Sequence, residues 1–498
     1  MLKAEEVVVE PQVRGQLSSK AGVLVLLTAV AVALVLPVWI VQYPPLLDFP
    51  NHLARSYVLS HLHDPTYHYD RWYSARWGPY PYVGMDIVLI ALQHLFPIQI
   101  AAKVFLSLCL LGVPLCFWWF LRQANPGNDW LAAWALLAAC NEFFLESFLA
   151  FQLSVAVGFL ALGFWVRWSP RPTVRRWLLL LLMTTATYFA HLIGFILIGF
   201  VVTAYSLLER RGVRELLRSW LLFVPGVIMF VISGLGVHNG RDIHFRTFDD
   251  KVDEIIRTFF GGYSARLTTA TLWIAILCIV LAWVRNRDFR WKRPWPLVAL
   301  ALLALYLALP YALGETFDID VRVLPVLFLA IPAVANVGRR ARALGAVALL
   351  LFAVRTVSVA RTFIAEQPEL ESISRGVQLI RQGALVLPIV EPREDDDPNR
   401  WSYEHFSAWA VIQRGAFSPY LFDLPGQTPM RISYDVYSPD AFWDSAYADS
   451  DVDWQKVQEQ YDYVWAYNVD HFTPKLKKIG KRIYRDGAFQ LYEIDKPK

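Results

Sequence analysis

The 498-residue chain is 56% hydrophobic and only 18% charged, with a mean hydropathy of +0.36, whereas an ordinary soluble domain carries about a quarter charged residues. Its formal net charge of +4 is spread through short basic clusters, which gives no footing for nucleic acid as a partner. Its four cysteines all fall inside or at the edge of apolar blocks, which leaves no disulfide framework or thiolate metal site.

In chain order, a polar stretch over 1–21 precedes the first apolar run. That run starts too far from Met1 and ends in residues too large for a cleaved signal peptide, so it reads as an uncleaved first span. Crossing a bilayer takes roughly 20 apolar residues. Spans are expected over 22–41, 98–121, 129–145, 149–166, 177–190, 192–208, 219–237, 269–284, 296–313, 322–338 and 343–360. The fold class is therefore an α-helical polytopic membrane protein of about eleven transmembrane helices. The segment 83–96 is apolar enough to span, but counting it inverts every later loop. It is read as an amphipathic helix in the interface, which makes 42–97 one large external loop. The basic connections "RWSPRPTVRR", "ERRGVRELLR", "RNRDFRWKR" and "RRAR" are assigned to the inside by the positive-inside rule. The N-terminal tail is then cytoplasmic, and everything after residue 360 lies outside. Over 361–498 the apolar runs shorten and acids rise, as in "EPREDDDPNR". A helix over 366–382, a strand "ALVLPIV", and later strands "YDYVWAYNV" and "RIYRDGAFQLYEI" describe a small soluble α/β domain. Asp486-Gly487 is placed at a hairpin turn.

Polar residues crowd the outer face. "PPLLDFPNHLAR" sets Asp48, Asn51, His52 and Arg55 just past the first span. A helix starting near Pro50 brings Asn51 and Arg55 onto one face. Asp48 has two readings, an N-cap for that helix or a general base at the membrane surface. Glu142 and Glu146 lie in the turn "NEFFLESF", and His191 sits between two apolar half-blocks, where an ionisable group is costly. His238, Asp242 and His244 follow in "VHNGRDIHF", and Asp318, Asp320 and Arg322 in "FDIDVRVLP". Lys103 is a cation near the outer headgroups, able either to snorkel or to hold a phosphate with Arg322. The loop "DPTYHYDRWYSARWGPYPY" carries seven Tyr and Trp, read as an aromatic belt or as a surface for sugar stacking. No Gly-rich phosphate loop, HExxH or Gly-x-Ser-x-Gly occurs, so no nucleotide or zinc-hydrolase site is expected.

A first span, an external loop opening on an acid, many further spans and an external α/β tail together resemble the GT-C superfamily of polytopic glycosyltransferases. That superfamily includes protein O-mannosyltransferases and aminoarabinose transferases. "YPPLLDFPNHLAR" and "YDYVWAYNVDHF" with "RIYRDGAFQLYEI" are similar to stretches of its bacterial members. The resemblance implies a catalytic acid at Asp48 and a second acid at Glu142 or Glu146. It also implies a cation at His191 and a late arginine at Arg322. Many members carry two neighbouring acids in the first loop, whereas here Phe49 and Pro50 follow Asp48 and His52 is the next ionisable group. A metal requirement is thereby weakened: no cofactor is certain, and a divalent cation stays open.

The expected activity is transfer of a sugar from a polyprenyl-phosphate donor to a glycan, lipid or protein acceptor. It would take place at the periplasmic face of a bacterial inner membrane. Asp48 would act as the base and His52 would orient it. Lys103, Arg322 and His191 would hold the phosphate, and Arg55, Glu146 and Asp320 would complete the binding set. Two other readings stand beside it: a lipid or glycan transporter, and a non-catalytic assembly protein of an envelope polysaccharide system.

Overall fold

The computed structural model describes residues 11–234, 242–260, 264–314, 316–391, 403–439 and 452–497. His238, most of the acidic run over 391–400 and the first ten residues lie outside that set.

The bulk of the chain is a bundle of apolar helices. Five are long and apolar enough to cross a membrane: Gly22–Trp39, Ile98–Ala124, Leu149–Trp168, Arg266–Trp283 and Arg340–Val377. A sixth span arises if the pair Val213–Trp220 and Val224–Ser233, bent by 43°, is counted as one. Leu192–Leu208, Trp295–Ala308 and Val323–Val334 are shorter apolar helices, so several of the eleven expected spans correspond to helices below full crossing length. Val83–Gln93 has 11 residues, a rise of about 16 Å, roughly half the hydrocarbon thickness.

Helices Ile98–Ala124 and Leu149–Trp168 pack along one another, and small residues let their backbones approach. A Cβ on Gly163 would meet the Trp119 ring at 2.7 Å and the Phe120 backbone at 3.0 Å. Phe117, Phe120 and Phe159 fill the seam edge to face. By contrast, Ala265–Trp283 turns Trp273, Leu277, Val280 and Trp283 outward, the pattern of a helix whose other face meets lipid.

The helix Arg340–Val377 runs unbroken for 38 residues, with Pro368 inside it. Sequence pattern put a boundary at 360/361, where apolar residues give way to charged ones. The backbone passes straight through, because the charged residues that follow are themselves helix formers. Its far end packs beneath a four-stranded sheet in the order Val386–Val390, Tyr463–Tyr467, Phe489–Ile494, Gly480–Asp486. The first pair is parallel and the others antiparallel. Gly487, at φ +55°, turns the last hairpin. Alternation along the strands sorts the side chains. Leu387, Ile389, Val464, Ala466 and Tyr492 enter a small outer core. Val386, Trp465, Tyr467, Phe489 and Leu491 face the same core as the membrane helices.

Part of the aromatic loop after the first span is taken into the fold rather than left open. Its strand Tyr73–Ala75 pairs with Met430–Ile432. Tyr69 Oη donates to the Val411 carbonyl at 2.6 Å, and Tyr73 Oη donates to that of Ser418 at 3.1 Å. Tyr69, Trp72 and Tyr73 are buried: they fasten the carboxy-terminal segment to the bundle.

Candidate functional site

Asp48 follows the turn that leaves the first span. Gln367 of the 38-residue helix clamps that turn: its Oε1 accepts the backbone N–H groups of Gln42 and Tyr43 at 3.0 Å, and its Nε2 donates to the Tyr43 carbonyl at 2.8 Å. Asp48 occupies the N-cap position of helix Phe49–Ser60, but its side chain makes no capping hydrogen bond and its backbone is already helical, at φ −84° and ψ −12°. The capping reading is thus replaced. Pro50 at the helix start needs no N–H partner, which frees the carboxylate for other contacts.

That carboxylate meets an imidazole from far along the chain: Asp48 Oδ1 lies 3.2 Å from His405 Nε2. Burial lowers the His405 imidazole, and Asp48, by hydrogen bond and charge, with Glu404 more than offsets it. Glu404 is itself raised, by burial first and then by Asp48. On the other side, the Leu47 N–H donates to the Leu145 carbonyl at 3.0 Å, which sets Asp48 beside Glu146. Burial, then the charges of Glu142, Asp318 and Asp48, hold the Glu146 carboxyl well above its ordinary 4.5, with Arg257 opposing.

This shift has a stability consequence. A carboxyl raised in the folded state takes up a proton on folding at any pH between its ordinary value and its folded one, so stability falls as pH rises through 4.5. Glu146→Gln removes that penalty. It is expected to raise the thermal unfolding temperature at about pH 8 and to leave it unchanged near about pH 4, measured on the full chain in detergent.

Arg322 stands over the Phe148 ring at 4.9 Å and donates from Nη1 to the Phe317 carbonyl at 2.8 Å. Its buried Nε has no hydrogen-bond partner among the described residues. Its charge acts on Asp318, Tyr82 and His191. His191, 2% exposed, caps helix Leu192–Leu208 by accepting the Ile193 N–H at Nδ1, 3.1 Å away, and its ring lies 4.4 Å from that of Tyr82.

Asp318, in the left-handed region at φ +57°, takes Arg246 Nη2 at 2.6 Å. Asp320 is fully buried and pairs with Lys251 at 2.9 Å, with Arg246 Nε at 3.6 Å. Helix Phe248–Phe260 supplies Lys251 and Arg257, and Arg257 Nη2 reaches Glu142 at 2.5 Å and Glu146 at 4.0 Å.

The other expected residues divide. His52 Nδ1 sits 3.2 Å from Arg55 Nη1, and burial, then Arg55 and His405, hold its imidazole well below its ordinary value. Arg55 is paired at 2.9 Å with Asp86, both sealed from solvent. Lys103 lies 5.9 Å from the Trp39 ring, and no ion pair joins it to the cluster among the described residues. Asp242 and His244 are exposed. The structure therefore links Asp48 to Glu146, Glu146 to Asp318, and Asp318 and His191 to Arg322 through their charges, and no such link reaches Lys103 among the described residues. Among the described residues no group of three or more His, Cys, Asp or Glu side chains is placed to hold a metal ion.

Sequence reading missed His405, Lys251, Arg246 and Arg257. The only signal for the last three was a cluster of alternating charges, "RTFDDKVDEIIR", in a loop noted for its histidines.

No family profile matches the chain, and no curated protein matches it. Solved structures do. The aminoarabinose transferase ArnT from Cupriavidus metallidurans, in its apo state, superposes with a TM-score of 0.55 at 13% identity. The same enzyme bound to undecaprenyl phosphate gives 0.58 at 14% identity. Both comparisons cover 95% of this chain and 98% of the other. The chain shares the fold of that transferase and carries the long apolar helices of a multi-pass membrane protein.

Proposed function

We propose that this protein moves a sugar from a polyprenyl-phosphate donor to an acceptor hydroxyl on a glycan, lipid or protein, inverting the anomeric centre. The reaction takes place at the periplasmic face of a bacterial inner membrane, with the basic connections and the N-terminus on the cytoplasmic side. The carrying observation is Asp48, a carboxylate that heads a helix without capping it and is linked by charge through Glu146 and Asp318 to Arg322, whose buried Nε has no hydrogen-bond partner among the described residues. Asp48 takes the proton of the acceptor hydroxyl as the oxygen attacks the anomeric carbon. The bond from that carbon to the phosphate oxygen breaks, and its electron pair stays on the lipid phosphate. Arg322 faces the charge that develops there. A lipid-phosphate leaving group also suits a chain without a nucleotide loop, and undecaprenyl phosphate is the ligand of one ArnT structure.

A transporter would be expected to carry paired ionisable residues deep in its spans. The buried pairs Arg55–Asp86 and Lys251–Asp320 instead lie outside the five long apolar helices, which favours the transferase.

Arg322→Gln keeps a polar side chain but loses the charge. It is expected to weaken binding of undecaprenyl phosphate to the full chain in nanodiscs by about tenfold or more. Affinity equal to wild type would remove Arg322 from the phosphate site.

A further inference from the structure

We propose that His405 is the positioning residue of this site and that Asn51 fixes the tautomer in which it holds Asp48. The inference rests on Asp48 being the base, and the observation behind it is the hydrogen-bonding of Asn51. That side chain is 2% exposed. Its Oδ1 accepts the Phe422 N–H at 2.9 Å, and its Nδ2 donates to the Tyr420 carbonyl at 2.7 Å. One backbone group is a donor and the other an acceptor, so the amide can be seated only this way round. The remaining Nδ2 hydrogen serves His405 Nδ1, 3.3 Å away. Nδ1 must then be the unprotonated nitrogen, which puts the ring hydrogen on Nε2, aimed at Asp48 Oδ1 across 3.2 Å.

Two consequences follow from this seating. A second proton on Nδ1 would face the Asn51 N–H, so Asn51 holds the neutral ring against the pull of the carboxylate. For the same reason His405 has no open nitrogen to which it could pass a proton, and it orients Asp48 without relaying. Oδ1 is held and Oδ2 remains for the acceptor hydroxyl. The residue comes from the carboxy-terminal segment, pinned over Asn51 by the Tyr69 and Tyr73 hydroxyls and the strand pair. That segment therefore completes the reacting centre.

The test pairs two amides. In His405→Gln the side-chain nitrogen falls where Nε2 was, and in His405→Asn where Nδ1 was. Turnover is read as polyprenyl phosphate released from endogenous donor in membranes of the producing cell. His405→Gln should keep turnover within about tenfold of wild type, and His405→Asn should lose about 10- to 100-fold beyond that, as expected for a lost hydrogen bond to a charged group. Equal turnover in the two variants overturns the proposal, even with Asp48→Asn inactive. An active Asp48→Asn overturns the underlying reading instead.

A second measurement needs no turnover. In ¹⁵N-histidine-labelled full chain in nanodiscs, the His405 signals, assigned by their loss in His405→Gln, should report a neutral ring protonated at Nε2. In Asn51→Asp the ring should become doubly protonated. A wild-type ring protonated at Nδ1, or on both nitrogens near neutral pH, refutes the assignment.

Discussion

Asp48→Asn is expected to lower transfer by about 10²- to 10⁴-fold, the usual worth of a positioned general base, while leaving insertion and thermal stability unchanged. The substitution is nearly isosteric, and the amide oxygen still accepts the His405 Nε2–H that now reaches Oδ1. What disappears is the capacity to take a proton. Losing an N-cap normally costs about 1 kcal/mol, but Asp48 makes no capping bond, so no such loss confounds the result. Release of polyprenyl phosphate in membranes, compared with unfolding of the purified chain, checks both halves. Full activity in the variant would remove Asp48 from the chemistry.

Lys251→Met is expected to cost about 3–5 kcal/mol of stability, the usual result of stripping one partner from a buried ion pair. Lys251 Nζ donates to Asp320 at 2.9 Å and to the carbonyls of Tyr306 and Leu309 at 2.9 and 3.0 Å. Among the described residues, removing it leaves a fully buried carboxylate with only the Val321 N–H at 2.9 Å and Arg246 nearby. The loss should spread to the site, because the helix that carries Lys251 also carries Arg257 to Glu142. Adding Asp320→Asn removes the stranded charge. The double variant should therefore unfold at a higher temperature than Lys251→Met alone, and additive losses would argue against a coupled pair.

Asp48 was legible in the sequence because a lone acid between an apolar run and a Pro-started helix has few things to do. Glu146 and Arg322 were legible for a similar reason, as charges at the mouths of spans. His405 was not. Nothing in "WSYEHFSAW" marks it, since its meaning comes from strand pairing and tyrosine contacts more than 300 residues away in the chain. The buried part of the tyrosine loop, Tyr69, Trp72 and Tyr73, went unread for the same cause: aromatic side chains look alike in sequence whether they meet headgroups, sugars or another segment. Span counting gave the helical bundle but overstated crossing lengths, because hydropathy registers Val323–Val334 without registering that its helix ends after 12 residues. Lys103 illustrates a further limit. Its spacing from Trp39 in space, rather than its position in sequence, decides that it stands over an indole.

The unbroken 38-residue helix acts as a mast. At 1.5 Å per residue it is about 57 Å tall, close to twice the hydrocarbon thickness, and Gln367 is the rung at which the chain leaving the first helix is tied off. The height of Asp48 along that helix is thus fixed, and under the proposed reaction a carrier anchored by its tail would have to offer its headgroup there.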